Sequence, residues 1–324
     1  MGRKGWSAHG RGSSWWGRGL TGAGLVAACL LAGHGFVPQA GVRVGSLVET
    51  FLPWVGLVVP VLVVVAALVR SWAVLVAAVV PGVVWAVMFG PLLVPESGGA
   101  GDLVVAQHNV SDENADPDGT ARALRDAGPD LVALEELTPA ALPRYSAALA
   151  RTYPHDAVDG SVGLWSRYPL RDVRPVDLRP DGLDDPGWRR GLRATAATPH
   201  GDVAVYVVHL PSVRIGAGGF RSEWRDDSAR KLGRVLAAEP LERVVLAGDL
   251  NSTLDDRALS PVTDRLAGPR SGLAFSWPAS LPLARIDQVL VRGGAVGAVR
   301  ALPATGSDHL PVLAHLSFQQ VRSG

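Results

Sequence analysis

Apolar positions are distributed along this chain in two different ways. Over residues 20–37, 50–69 and 72–94 they are almost continuous, in runs of about 18, 20 and 23 residues. A helix needs about 20 such residues to cross the hydrocarbon core of a bilayer. Pro60 and Pro81 lie inside the second and third runs, which membrane helices tolerate. Trp15, Trp16, Trp54 and Trp72 lie near the ends of the runs, where interfacial anchors belong. A cleaved signal peptide would need a shorter apolar core than 20–37 and would not be followed by two more spans. The pattern predicts three transmembrane helices.

Beyond residue 102 the apolar runs become short and alternate with polar turns. Strands are predicted at 103–110, 131–134, 162–166, 192–197, 202–209, 244–247, 286–291 and 312–318. Helices are predicted at 117–126, at 138–150 with Thr138 as N-cap and Pro139 next, and at 223–238. Residues 177–187 and 213–220 read as loops, and 306–311 (Gly-Ser-Asp-His-Leu-Pro) as a polar turn. Many strands with few interleaved helices imply an α/β sandwich rather than a repeated βαβ unit.

Charge divides the chain at the same point. Residues 1–95 carry Arg3, Lys4, Arg11, Arg18, Arg43 and Arg70 against Glu49 alone, a net +5, so the remainder is −4 within an overall +1. The basic N-terminus (1–19) and Arg70, between the second and third runs, belong in the cytoplasm. With three spans, everything after residue 94 is then extracytoplasmic, and the chain is a multi-pass protein of the cell membrane. The linker 95–102 reaches at most about 28 Å, which keeps the following domain at the bilayer. An acidic domain whose one lysine is Lys231 is a poor binder of polyanions, which disfavours nucleic acid. Cys29, the one cysteine, excludes a disulfide within the chain. No protein partner is legible.

The most informative stretch is 243–253, Arg-Val-Val-Leu-Ala-Gly-Asp-Leu-Asn-Ser-Thr. A buried strand is followed by Asp249 and Asn251, which two-residue spacing directs to one side. A carboxylate beside an amide suits an oxygen-ligating metal and a neighbouring anionic oxygen. The plainer reading is a turn that closes a strand. Other strand ends carry Asn109, Glu136, His209, Asp287 and the pair Asp308-His309.

In this order the segments Gln-His-Asn-Val, Pro-Asp-Leu-Val-Ala-Leu-Glu-Glu, Gly-Leu-Trp-Ser-Arg-Tyr-Pro-Leu, Val-His-Leu-Pro, Gly-Asp-Leu-Asn, Arg-Ile-Asp-Gln-Val-Leu-Val and Ser-Asp-His-Leu-Pro-Val resemble the endonuclease/exonuclease/phosphatase superfamily. The resemblance spans 103–318, leaving a tail at 319–324. It implies a two-sheet α/β sandwich, Mg²⁺ or Mn²⁺, and in-line hydrolysis of a phosphoester or phosphoanhydride by water. It further implies that Asn109, Glu136 and Asp308 serve the metal, and that Asp249 orients and deprotonates water. By the same resemblance Asn251 holds a phosphoryl oxygen, His309 contacts the phosphoryl group with Asp287 fixing its tautomer, and His209 lies at the phosphate or leaving-group side. Oxygen donors without cysteine independently suit Mg²⁺ or Mn²⁺ over Zn²⁺.

Duller roles compete. Asn109 suits a strand cap, His209 a core histidine, Asp287 an ion pair with Arg285, and Asp308 a turn cap. One of Glu135 and Glu136 is expected to be a solvated neighbour, with Glu136 the ligand. Arg190 and Arg193 could contact substrate phosphate but are expected mainly at the surface, and His108, His155, His200 and His315 are taken as structural.

The tether favours a membrane lipid substrate over free DNA, through effective concentration. Three spans followed by this domain also resemble the streptomycete teicoplanin-resistance membrane proteins (VanJ-like). That resemblance implies work on a lipid carrier such as undecaprenyl diphosphate. A surface nuclease, a phospholipid or sphingolipid phosphodiesterase, and a non-catalytic binding module remain alternatives. Asn109 lies roughly 20 Å beyond the linker along its strand, so the site meets lipid only if the domain lies on its side.

Overall fold

Rows of inward-facing Val, Leu and Ala side chains place two sheets face to face. The computed structural model describes residues 15–39, 41, 43–94, 101–216 and 219–318. The basic residues Arg3, Lys4 and Arg11, most of the linker (95–100) and the tail (319–324) lie outside the described residues. The N-terminal part comprises helices α1 (Trp15–Gly33), α2 (Val44–Thr50), α3 (Val58–Val69) and α4 (Trp72–Leu93). A 3-10 stretch, Leu52–Leu57, leads into α3. Among the described residues, three segments are long and apolar enough to cross a membrane: Gly17–Phe36, Leu52–Val69 and Trp72–Leu93.

The second part runs β1 (Leu103–Asn109), α5 (Pro117–Asp126), β2 (Leu131–Glu135), α6 (Leu142–Leu149), β3 (His155–Asp159), β4 (Val162–Ser166), β5 (Leu170–Pro175), β6 (Gly191–Thr198) and β7 (Gly201–His209). It continues with β8 (Arg214–Gly216), β9 (Gly219–Arg221), α7 (Glu223–Ala237), β10 (Val244–Asp249), α8 (Ser260–Thr263), β11 (Pro269–Ser271), β12 (Asp287–Arg292), β13 (Gly294–Ala301) and β14 (Val312–Phe318). One sheet has the order β11-β13-β14-β1-β2-β4-β3 and the other β12-β10-β7-β6-β5. The core between them holds Leu103 and Val105 of β1, Val205 and Val207 of β7, and Val245 and Ala247 of β10, all buried. Helix α7 covers the outer face of the second sheet through Ala229, Leu232 and Leu236. Helices α5 and α6 cover the first through Ala121, Leu124, Tyr145 and Leu149.

The predicted sandwich is present, with local differences. Helix α6 begins at Leu142 rather than Thr138, because Pro143 lacks the N–H an earlier start would require. Thr138 Oγ1 instead accepts from Ala141 N in a turn, at 3.1 Å. The loop predicted over 213–220 contains the hairpin β8–β9. Four strands carried no legible pattern. β3 and β5 are polar edges, β11 is three residues long, and β13 is rich in Gly and Ala.

Residues 38–49, between the first two apolar runs, carry most of α2, which docks on the sandwich. Ser46 Oγ donates to the Asp256 carboxylate, and Thr253 Oγ1 donates to Glu49 O at 3.2 Å. Arg43 pairs with Glu223 at 3.1 Å and with Asp226. Trp54 Nε1 donates to Leu283 O at 2.7 Å and its ring stacks on Phe275 at 5.4 Å, so it anchors protein to protein. Gly272 N donates to Leu92 O at 2.8 Å, tying α4 to the end of the edge strand β11.

Candidate active site

Strand alternation builds the site. On β1, β2, β7 and β10 the inward row is apolar until the last turns of the strand, where it becomes Gln107 and Asn109, Glu135, His209 and Asp249. β12 runs antiparallel to β10 and begins with Asp287 opposite Asp249, so it delivers its carboxylate to the same end. β7 lies parallel to β10 with His209 opposite Asp249. Gly248 permits this approach, since a Cβ there would fall 1.9 Å from Val208 O.

Two residues break the alternation. Glu136 and Asn251 have φ of 59° and 48°, left-handed values that redirect the chain just past β2 and β10. Asn109 Nδ2 then donates to Glu136 Oε1 and to Asp249 Oδ2, each at 3.0 Å. Asn251 N donates to Asp249 Oδ1 at 2.8 Å, and Asn251 Nδ2 donates to Leu210 O at 2.9 Å. His209 Nε2 lies 3.7 Å from both Glu136 Oε1 and Asp249 Oδ2. His309 Nδ1 contacts Asp287 Oδ2 at 2.8 Å, while its Nε2 lies 3.9 Å from Asp249 Oδ2. Seven of the eight residues singled out from the sequence therefore meet at one end of the sandwich. Asp308 sits on the adjacent turn with an exposed side chain, outside the cluster formed by Asp249, Asp287 and His309.

Electrostatics separates the groups by role. Burial pushes Asp249 up, to about 7, against the lowering pull of His309. Burial also opposes ionisation of Asp287, but His309, together with hydrogen bonds from Ser276 and Gln107, holds that carboxyl below its usual range. Burial would lower His309 as well, yet Asp287 and Asp249 raise it to about 10, leaving an imidazolium at neutral pH. Burial, followed by Arg190 and His309, drives His209 well below its ordinary value, so this ring is neutral. Two histidines within one site thus carry different charges, as separate roles require. Replacing Asp287 with asparagine removes the strongest raising influence on His309. The His309 pKa should then fall clearly below 10 in an NMR titration of the imidazole, and an unchanged value would contradict this assignment.

Two sequence expectations are corrected here. Glu135 is not a solvated neighbour of Glu136. It is fully buried and accepts from Gln107 Nε2 at 2.8 Å, and the same amide donates to Asp287 at 2.9 Å. Burial, with Asp287 and Asp249 nearby, raises Glu135 well above the usual carboxyl range. Arg193 is not a surface residue, and Arg190 is half-buried beside the site. Arg193 is buried on the far face of β6 and pairs with Glu239 at 3.1 Å. Arg190 reaches the site, with a guanidinium nitrogen 3.3 Å from His209 Nδ1. Beyond it lies a cavity of about 510 Å³ whose wall includes Trp188, Arg214, Arg221 and Trp224. Gln107 was missed, although its place two residues before Asn109 on the same face was a usable signal. His108 points away from the site, is buried and contacts Thr305 Oγ1 at 2.8 Å.

The donor set fits a hard divalent cation. Carboxylate and amide oxygens converge without sulfur, and Asp249, Asp287 and His309 present ligand atoms within 4.8 Å of one another. Since His309 Nδ1 and Asp287 already engage each other, the more open donor is Glu136, whose side chain is 29% exposed and accepts from the buried Asn109 amide.

The model of the Endonuclease/Exonuclease/phosphatase family matches residues 106–309. No curated protein sequence matches the chain. Among solved structures, a double mutant of beta toxin from Staphylococcus aureus with bound magnesium ions superposes with TM-score 0.55 at 16% identity, covering 66% of this chain and 99% of that one. Sphingomyelinase C from Streptomyces griseocarneus gives 0.51 at 21% identity, covering 65% and 98%. A humanized TDP2 from D. rerio gives 0.52 at 19% identity, covering 66% and 98%. At such identities these likenesses establish the fold.

Proposed function

The chain belongs to the Endonuclease/Exonuclease/phosphatase family of phosphoester hydrolases, and from that premise we propose that it is a membrane-anchored, Mg²⁺- or Mn²⁺-dependent phosphohydrolase acting on a lipid-linked (di)phosphate. Undecaprenyl diphosphate outside the cell membrane is the substrate of choice, and protection against teicoplanin the cellular role. The observation that carries this reading is the docking of the apolar helical segment on loops at the site end of the sandwich. Thr253, two residues past Asn251, bonds to Glu49, and the Leu283 carbonyl, four residues before Asp287, bonds to Trp54. A catalytic centre held there works on a substrate presented by the bilayer.

In this mechanism Asp249 takes the proton of the attacking water, and a pKa of about 7 matches that task at neutral pH. The His309 imidazolium, fixed by Asp287, faces the phosphoryl group and offsets the charge that accumulates on it. Arg190, His209 and Asn251 hold the remaining phosphoryl oxygens. Glu136 and Asn109, and by the family resemblance Asp308, would hold a divalent cation, which would supply further charge neutralisation.

Purified full-length protein in detergent should release phosphate from undecaprenyl diphosphate, lose the activity in EDTA and regain it with Mg²⁺. Expression in a susceptible host should raise teicoplanin tolerance. Nicking of plasmid DNA, or cleavage of sphingomyelin, without turnover of the prenyl diphosphate would replace this reading with one of those activities.

A further inference from the structure

A second cavity, of about 410 Å³, lies between the helical segment and the sandwich. Trp54, Leu57 and Val59 form one wall, Trp85 of α4 another, and Leu273 and Phe275 of the loop before β12 the third. The two indoles carry the only side-chain N–H groups among these six residues, and both are spent on backbone. Trp54 Nε1 donates to Leu283 O and Trp85 Nε1 to Pro53 O, each at 2.7 Å. The indole faces are left to line the slot, so its surface is almost entirely carbon. Such a surface offers nothing to a phosphate or a sugar and suits a hydrocarbon chain.

The slot is joined to the catalytic end. Phe275, in its wall, precedes Ser276, which is fully buried. Ser276 Oγ accepts from Asp287 N at 3.4 Å, and Ser276 O accepts from Leu310 N at 2.7 Å. One short segment thus has an apolar face toward the slot, while its next residue holds the backbone around Asp287 and His309. The other walls come from the segments Leu52–Val69 and Trp72–Leu93, which are apolar enough to lie in lipid.

We infer that this slot binds the hydrocarbon tail of the substrate next to its phosphate, and that the tail is a single polyprenyl chain. The inference rests on the lipid (di)phosphate reading above and adds the site that selects the lipid. The volume is near the lower end of ligand pockets, which run from roughly 300 to 1,000 Å³, and admits one chain rather than the pair of a diacyl or sphingoid lipid. Tail binding at Trp54 and Phe275 also places the cleavable phosphate at the bilayer surface, which removes the need to extract the lipid.

Gly82 lines the slot, and a Cβ there would meet only Val59 at ordinary contact distance, 3.4 Å. Gly82→Leu therefore fills the slot from within α4 without a backbone clash. Phosphate release from a long-chain polyprenyl diphosphate should show KM raised about tenfold or more in Gly82→Leu. Turnover of methyl diphosphate, which has no hydrocarbon tail to seat in the slot, should be unchanged, which also reports an intact fold. An unchanged KM for the long chain, or equal losses on both substrates, would overturn the slot.

A binding readout separates this inference from the hydrolase reading. A long-chain polyprenyl monophosphate with a diazirine near its head is photolysed on the full-length protein in EDTA. Labelling at Trp54, Trp85 or Phe275, weakened in Gly82→Leu, supports the slot even if wild-type protein hydrolyses neither diphosphate. No labelling there, or equal labelling by a diazirine phosphatidate with two chains, overturns it.

Discussion

Replacing Asp249 with asparagine is expected to lower turnover by about a thousandfold while leaving the folded domain at least as stable. The loss follows from removing a general base, whose contribution is typically 10²–10⁴-fold. The stability follows from the site. Asp249 is 1% exposed, and burial together with Asp287 raises its pKa to about 7. A carboxyl with a raised folded pKa lowers stability progressively as pH rises from the unfolded aspartate value to the folded one, and the full cost is present above it. Asparagine removes this cost and still accepts from Asn251 N. Thermal unfolding in EDTA above pH 7 should show an equal or higher Tm for Asp249→Asn, alongside the lost phosphate release. Retained turnover would remove Asp249 from the mechanism, and a large drop in Tm would make its role structural.

Arg225→Ala should produce the largest loss of stability. Arg225 is buried on α7, and its guanidinium contacts Asp256 at 2.8 Å, Asp226 at 2.7 Å and Ser46 Oγ at 2.9 Å. It also donates to Asn251 O at 3.2 Å, so one side chain ties α2, α7 and the catalytic loop together. Removing one partner of a buried ion pair costs about 3–5 kcal/mol, since the other charge is left without compensation. For a domain of this size that corresponds to a fall in Tm of roughly 10 °C, measurable by thermal unfolding in detergent. Burial alone would raise Asp256, but Arg225 together with hydrogen bonds from Ser46, the Ala258 N–H and Gln39 holds the carboxyl below its usual range. The stabilisation is therefore complete above the unfolded pKa of an aspartate and is lost as pH falls through the lower folded value. The gap between wild type and Arg225→Ala should narrow on acidification. Tm values that differ by only a degree at neutral pH would show that this network does not hold the segments together.

The features legible in the sequence are local in origin. Runs of about 20 apolar residues announce helices of membrane length wherever they occur, and a short apolar strand ending in Gly-Asp-Leu-Asn announces a polar group at a strand end. Asn109, Glu136, His209, Asp249, Asn251, Asp287 and His309 were found in this way, each by its place after or before a strand. The roles of neighbours were not legible, because they depend on what lies across space. Glu135 and Glu136 are identical in type and adjacent, yet the left-handed backbone at Glu136 turns one toward the open cleft while the other stays in the strand beneath Gln107. Arg190 and Arg193 lie on or beside one strand, and only the position of β7 and of Glu239 sends one to the site and the other into a buried pair.

The sequence by itself determined three apolar spans, an acidic α/β sandwich and a set of polar strand ends with phosphoester chemistry. Periodicity and composition act within a few residues, and those features need no more. The tertiary structure alone decided which histidine is charged, which end of the sandwich meets the helices and where an apolar slot opens. Those depend on burial and on contacts between residues as far apart as Ser46 and Asp256 or Trp54 and Leu283, and no local pattern encodes them.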